Sequence, residues 1–593
     1  MWSLMELVPL YSLPLILGAA FLLIKWYNST SPNTSKKLPP SPPRLPLIGN
    51  LHQLKGTVHE AFLSAAKRYG DPNGLMLVYI GTIPSLVVST TEAAREILKT
   101  HDIAFADRPA TRMFKAISYN LKDSTITPYG EHWRQVKSIL TLHLLSNKTV
   151  HSFEAMRRRI IAGYLSEINQ CFLSNKPLDL TSMAFSITND ITCMAAFGRT
   201  YNDGEIGRKF KKLMKEISEM LATFYFEDSI PQLAVVDILR GVRSKVDWVV
   251  RTLDEFLTGA VEERLSKTNP DPVAPEDGFK PFIEVLLKIQ KEDNLGITVD
   301  TEVLKALLLD AYIAATDTTA SVLQWVMTEF LVNPDIMKKA QDEVRRVLNG
   351  KEDITSEDLD KMTYLKAVIM ESTRLHPPLP ILLPRIARQD VNLMGYDIAK
   401  DTRVYVNVYS IMRDPNVWDQ PEKFLPERFL GESSIDFIKH NFELLPFGAG
   451  RRACPGRIYS MAIDEMTLAT FLYKFEWSLP QGVKPEDVDM EGTFGLANHK
   501  KVPLLVVGKP VDELIGIDHR LVGDFVREFG VAHDLGSVSS APDGGFMCQI
   551  TTTPSPVARS SEDSAASVRS VEPSSLSDLP AERVKKNQNH KQK

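Results

Sequence analysis

A helical pattern opens at Asp300 and runs unbroken to Val332, where Asn333-Pro334 stops it. Its middle, LLLDAYIAATDTTASVLQW, is mostly apolar, and more than thirty residues is long for a helix in a globular protein. A helix that is apolar on most sides has to be buried on most sides, so it must cross the core. The rest of the chain therefore has to wrap around it. The material is there: 593 residues, 44% hydrophobic and 24% charged, are proportions of a globular protein able to bury a large core.

Residues 49–507 contain no low-complexity break and no internal repeat, and helical patterns predominate. Alternation over residues 75–88 predicts a hairpin, and residues 391–408 predict further strands. A second helix is expected after the capping signal Thr355-x-x-Asp358 and ends at His376-Pro377-Pro378. The fold class is mainly α with small β-sheets, in one large domain.

Lys and Arg total 69 against 74 Asp and Glu, a net charge of -5, which argues against a nucleic-acid partner. The cysteines, Cys171, Cys193, Cys454 and Cys548, are too few and too scattered for a disulfide scaffold or a zinc site, and fit a reducing compartment.

Both ends differ from the body. Residues 7–24 carry no formal charge and just reach the length of a membrane span. Glu6 precedes them, and the positive charges follow at Lys25, Lys36, Lys37 and Arg44. That asymmetry favours a signal anchor over residues 1–27, with everything after it in the cytoplasm. A cleaved signal or an interfacial helix is the rival reading. With the signal anchor, the sequons at Asn28, Asn33 and Asn147 would stay unglycosylated. Residues 28–48 include Pro39, Pro40, Pro42, Pro43 and Pro46, a stiff hinge between membrane and body. Residues 508–593 form an atypical extension. Its last part, from residue 551, is rich in Ser, Pro and charge and is expected to be disordered.

The strongest chemical signal is Phe447-Gly448-Ala449-Gly450-Arg451-Arg452-Ala453-Cys454-Pro455-Gly456, with a helical pattern directly after it. Backbone N–H groups and a helix dipole aimed at the sulfur favour thiolate. The glycines let the backbone approach a flat ligand. A buried thiolate so placed suits a haem iron ligand; a lone cysteine is otherwise a small core residue. The ten-residue pattern decides between them.

Residues 447–456 resemble the cysteine-loop signature of the cytochrome P-450 superfamily, F-x-x-G-x-R-x-C-x-G, at every fixed position. Glu371-Ser372-Thr373-Arg374 resembles its E-x-x-R motif, and Pro426-Glu427-Arg428-Phe429 the P-E-R-F motif of plant members. The hinge and the string HDIAFADRP resemble the plant A-type (seventy-one) clan, particularly its A-type subfamily. The likeness covers about residues 1–507. It implies the cytochrome P-450 fold, preceded by an N-terminal transmembrane helix, with haem (iron protoporphyrin IX) held by Cys454.

The resemblance implies roles for further residues. Glu371, Arg374 and Arg428 would form a buried triad needed for haem retention; by spacing alone, Glu371 and Arg374 are only i,i+3 neighbours able to pair. Ala314 to Thr319 resembles the oxygen-activation motif, with Thr318 hydrogen-bonding dioxygen and its water and Asp317 relaying protons. Thr316 and Thr319 are expected to bond back to carbonyls one turn earlier. Ala315 departs from the usual glycine, which bears on tight coupling. Arg452, Trp133, Lys137 and Arg385 are candidate haem-propionate contacts, and Phe447 belongs to the haem-binding loop. The pocket would be lined around residues 113–119, 311–315, 379–383 and 494–496, mostly apolar, implying a small lipophilic substrate.

The expected function is a membrane-anchored haem-thiolate monooxygenase of the endoplasmic reticulum, single-pass with a cytoplasmic catalytic domain. It would oxidise a small plant secondary metabolite, terpenoid or phenolic, with dioxygen and NADPH-derived electrons. No dinucleotide-binding glycine pattern is visible, so a separate NADPH-cytochrome reductase, or a cytochrome b-type donor, is the implied partner. Arg451 and Arg457 mark a basic face for its docking. The alternatives are a haem-thiolate dehydratase, isomerase or coupling enzyme, and a non-enzymatic haem-binding protein; Asp317 and Thr318 argue against the last.

Overall fold

The computed structural model describes Gly18 and residues 36–511, without 202–203, 222, 267–277, 293–298, 432–441 and 494–496. The expected anchor (apart from Gly18), the first residues of the hinge, the pocket stretch 494–496 and nearly all of the extension lie outside the described residues.

In chain order the frame is a hairpin of β1 (Leu75–Ile80) and β2 (Ile83–Val88), then α1 (Glu131–Ser138), β3 (Leu178–Asp179) and α2 (Leu180–Phe197). The long helix α3 (Thr301–Val332) follows, then α4 (Pro334–Leu348), α5 (Thr363–Leu375) and the short strands β4 (Arg385–Ile386), β5 (Val391–Leu393), β6 (Tyr396–Ile398) and β7 (Arg403–Val406). Helix α6 (Arg457–Lys474), β8 (Phe475–Ser478) and β9 (Leu505–Pro510) close the frame, with further helices between these elements.

Helix α3 sits where its composition requires. The Asp300 carboxylate accepts from Val303 N at 2.8 Å, an N-cap, and Pro334 ends the run. Among the described residues this is the one helix with the length and apolarity of a membrane span, yet residues 303–309 and 319–331 are buried in protein. α2 packs along it, and the Thr188 hydroxyl donates to Thr316 O at 3.1 Å.

The predicted hairpin forms, antiparallel from Leu75↔Val88 to Ile80↔Ile83. β2 pairs in parallel with β7, and β4 adds the far edge, giving the order β1-β2-β7-β4. The expected strands over 391–408 are β5, β6 and β7, after which the chain turns into a short helix at Val408–Ile411. β3, β9 and β8 form a second sheet, which carries order through Pro510.

The helix expected after Thr355 is two helices. The capping box at Thr355 and Asp358 forms, but it serves only Ser356–Asp360. A second start follows because Glu343 of α4 accepts from the backbone N–H groups of Tyr364 (2.9 Å) and Leu365 (3.0 Å). A carboxylate from another helix supplies the cap for α5, which local sequence cannot show.

The proline-rich segment is fastened to the body. Leu77 N donates to Pro40 O at 2.8 Å, Asn50 Nδ2 to Pro43 O at 3.1 Å, and Asn50 N to Tyr79 O at 2.7 Å. Prolines lack the donor but keep the carbonyl, so they can line an edge strand as acceptors.

Candidate active site

The cysteine loop lies between the region of 442–446 and the N-terminus of α6. Cys454 N donates to Phe447 O at 2.9 Å, closing the loop on itself. Gly450 has φ +70°, and a Cβ there would lie 2.1 Å from Leu98 O, so only glycine fits. The Gly456 N–H donates to Cys454 Sγ at 3.3 Å. Cys454 presents open surface, yet protein closes around it and desolvates it. The two observations agree if the sulfur faces a space enclosed within the protein. Burial pushes the thiol up; the Gly456 N–H, Lys137 and Arg457 pull it down but do not outweigh burial. The expected bias toward thiolate is thus present and overruled in the bare protein, and a bound metal would enforce the thiolate.

Midway along α3 the burial is interrupted. Ala314 is exposed, and Ala311, Ala315 and Thr318 are half-buried, although both flanks of the helix are closed. Positions i, i+3, i+4 and i+7 form one stripe, so α3 turns one narrow face to open space. The Thr318 hydroxyl donates to Ala314 O at 2.6 Å, which leaves its oxygen free to accept. Thr316 bonds back to Tyr312 O at 3.0 Å as expected. Thr319 does not: its hydroxyl is buried with no partner among the described residues. Asp317 Oδ1 lies 2.9 Å from His499 Nε2. The helix continues unbroken through Ala315. Of the other expected pocket stretches, Phe114 and residues 379–383 are half-buried apolar or proline positions.

The four candidate propionate contacts converge on the cysteine loop. Lys137 Nζ donates to Ala453 O at 2.8 Å. Arg385 pairs with Asp102 at 3.0 Å and donates to Ala449 O at 3.1 Å. Arg452 lies over the Trp133 ring, 4.5 Å from its centroid, and donates to Ala106 O, Ser124 O and Thr127 O. Trp133 Nε1 donates to the same Ser124 O at 2.9 Å. Burial pulls Lys137 down to about 8, and burial together with Arg385 pulls Arg452 down to about 10. A fourth cation, Arg108, joins them: it donates to the carbonyls of Thr125, Leu383 and Pro384, and burial with Arg385 and Arg452 nearby holds it well below its ordinary value. Among the described residues no carboxylate contacts Arg108 or Arg452. Of these cations Asp102 answers Arg385 alone, so the cluster keeps an excess of buried positive charge whose Arg108 and Arg452 donors end on neutral carbonyls, an arrangement that favours an anion.

Glu371, Arg374 and Arg428 meet in one buried cluster. Arg374 is bidentate on Glu371 (2.7 and 2.9 Å), and Arg428 Nε donates to Glu371 Oε1 at 3.1 Å. Arg374 also donates to Met412 O and Pro421 O, and Leu425 N donates to Glu371 at 2.8 Å. The cluster therefore ties α5 to the segment that leads into the cysteine loop.

Asp102, Arg108 and His499 are partners that motif reading does not single out. Asp102 accepts from Arg451 N at 3.0 Å and pairs with Arg385, bridging the cysteine loop to β4. Asp102 and Arg108 lie at either end of the charged, half-apolar string HDIAFADRP, and that composition was their one visible signal. His499 gave none.

Residues 39–506 match the Cytochrome P450 family. The chain belongs to the cytochrome P450 family. It is 45% identical to "Cytochrome P450 736A117" of Prunus mume over 494 residues, 82% of this chain and 94% of that one. It is 43% identical over 500 residues to the tabersonine/lochnericine 19-hydroxylase of Catharanthus roseus, 84% of this chain and 97% of that one. The fold is similar to that of a zebrafish cytochrome P450 solved with progesterone, with a TM-score of 0.64 and 26% identity, covering 77% of this chain and all of that one. These relatives identify the fold as that of a cytochrome P450, the plant A-type clan as its place, monooxygenase as its activity and haem as its cofactor. The residues present fit that group: an exposed cysteine in a glycine-rich loop, apolar half-open walls, and a cationic cluster in which neither Arg108 nor Arg452 touches a carboxylate among the described residues.

Proposed function

We propose that this P450 hydroxylates or otherwise oxidises a small lipophilic plant secondary metabolite, terpenoid or phenolic, with dioxygen and with electrons from an NADPH-cytochrome reductase. The observation that carries the reading is the exposed Cys454, its sulfur accepting from the Gly456 N–H at 3.3 Å beside the cationic cluster. The hydroxylase name of the Catharanthus relative supports hydroxylation as the reaction. When bound, haem supplies the activation of dioxygen by which one oxygen atom enters a C–H bond and the other leaves as water, with two electrons and two protons consumed.

The protein's own residues then divide the work. Cys454 would hold the haem iron, and Phe447 to Gly456 shape the loop that carries it. Arg452, Arg385, Lys137 and the added Arg108 would hold the propionates, with Trp133 as the ring beneath Arg452. Thr318, its own proton committed to Ala314 O, accepts and orders a hydrogen bond on the open stripe of α3. Asp317, one residue before it, holds the proton to be delivered. Glu371, Arg374 and Arg428 fix the approach to the loop, and the apolar walls exclude water. Residues 1–27 anchor the chain in the endoplasmic reticulum membrane with the catalytic body in the cytoplasm, and the fastening of the hinge at Pro40 limits its reach.

The test is the carbon monoxide difference spectrum of the reduced protein beside Cys454→Ser. A strongly red-shifted Soret band, lost in the variant, is the expected result. A haem spectrum without that shift in the parent chain overturns the assignment of Cys454.

A further inference from the structure

Asp317 is not held by its own helix. Its Oδ1 lies 2.9 Å from His499 Nε2, and His499 Nδ1 lies 3.3 Å from Gln324 Oε1. Asp317, Ser321, Gln324 and Trp325 are spaced i, i+4, i+7 and i+8, one face of α3, and all four engage residues 498–499. Ser321 Oγ and Trp325 Nε1 each donate to Asn498 O at 2.7 Å. Asn498 N donates to Pro378 O at 2.9 Å, and His499 O accepts from Thr493 N at 2.7 Å. The backbone carrying the imidazole is thus fastened on three sides.

The hydrogen-bond partners also fix where protons sit. The Gln324 amide nitrogen faces Thr181 O at 3.5 Å, which directs its oxygen to the histidine. An amide oxygen only accepts, so Nδ1 carries a hydrogen. Across the other contact a hydrogen lies between Nε2 and Oδ1, because two bare acceptors would repel at 2.9 Å. The pair therefore holds one hydrogen, on the residue that precedes Thr318 in α3. The side chains are 21% and 15% exposed, dry enough to strengthen the interaction and open enough to be refilled from water.

We propose that His499 is the positioning residue for proton delivery: it fixes the Asp317 carboxyl and keeps a proton resident on the pair for transfer into the open face of α3. The inference rests on the role given above to Asp317. In the step, the Asp317 carboxyl gives its proton to an oxygen acceptor at the Thr318 stripe. The pair loses one positive charge, and water restores the proton through the imidazole. Gln324 acts one place further out, holding the ring so that Nε2 points at Asp317.

Cumene hydroperoxide tests this on the full-length haem protein without a known substrate or reductase. Proton-assisted heterolysis of its O–O bond gives 2-phenyl-2-propanol, whereas homolysis gives acetophenone. His499→Gln keeps a hydrogen bond to Asp317 but removes the stored proton. The alcohol-to-ketone ratio is expected to fall roughly ten-fold, close to the fall in Asp317→Asn, and the double variant should fall no further. The carbon monoxide difference spectrum should remain that of the parent. Thermal midpoints of the two single variants and the double variant should also be non-additive, a coupling that does not depend on turnover. An unchanged ratio in His499→Gln beside a reduced one in Asp317→Asn overturns the inference and leaves Asp317 in place. Unchanged ratios in both remove Asp317 as the proton source. If His499→Gln fails to take up haem, Gln324→Met decides: it leaves the pair intact but frees the ring, so a partial fall supports the proposal and no change overturns it.

Discussion

Glu371→Gln should destabilise the body out of proportion to the loss of one charge. Glu371 and Arg374 have fully buried side chains, and the carboxylate accepts from Arg374 Nε and Nη2, Arg428 Nε and Leu425 N. An amide in its place offers one acceptor oxygen and turns an N–H₂ toward cationic donors. Arg374 would keep its charge with only carbonyls around it. Breaking a buried pair in this way costs about 3–5 kcal/mol, a large share of a typical stability of about 5–15 kcal/mol. For the matched body, residues 39–506, the unfolding entropy is on the order of 1 kcal/mol/K. The thermal midpoint should therefore drop by about 3–5 °C. Because Leu425 and the carbonyls of Met412 and Pro421 lose their anchor, haem should also be retained less well. Calorimetry of the loaded protein and its haem-to-protein ratio read both effects. A midpoint within about 1 °C of the parent, with full haem content, would refute the reasoning: the carbonyl cage alone would then be holding Arg374.

Three further outcomes are expected. Gly450→Ala must give up a positive φ and a 2.1 Å approach to Leu98 O, so the cysteine loop should shift and haem content fall sharply, read by the Soret-to-protein absorbance ratio. Burial raises Glu465 in α6 from its ordinary 4.5 to about 7, so its contribution to stability is complete below 4.5 and is lost as pH rises through 7. The loss approaches on the order of 3 kcal/mol by pH 8; Glu465→Gln should flatten the midpoint-against-pH curve between pH 5 and 8, and an unchanged slope would mean the group is not so buried. Deleting residues 511–593, which follow the last described strand, β9, should leave haem content and cumene hydroperoxide turnover unchanged; a large fall in either would give the extension a structural part.

Some of this was legible because the physics is local. Asp300 caps α3 through the N–H three residues on, Pro334 ends it, and the apolar run between them had to be buried. The hairpin at 75–88 and the capping box at Thr355 and Asp358 are likewise contacts between near neighbours in sequence. The cysteine loop could be read because its glycines, arginine and cysteine occupy fixed places within ten residues.

What the sequence could not show was which distant groups complete each local feature. The start of α5 depends on Glu343 of α4. Burial, which only the fold creates, outweighed the Gly456 N–H that the loop aims at Cys454. Arg452 and Trp133 share Ser124 O, Asp102 ties the loop to β4, and Asp317 meets a histidine 182 positions away. Hydrogen bonds within a turn are dictated by residue type and spacing. Partners across the chain are set by how helices and sheets pack, and the charge a residue carries acquires its chemistry only once that packing has removed the water around it.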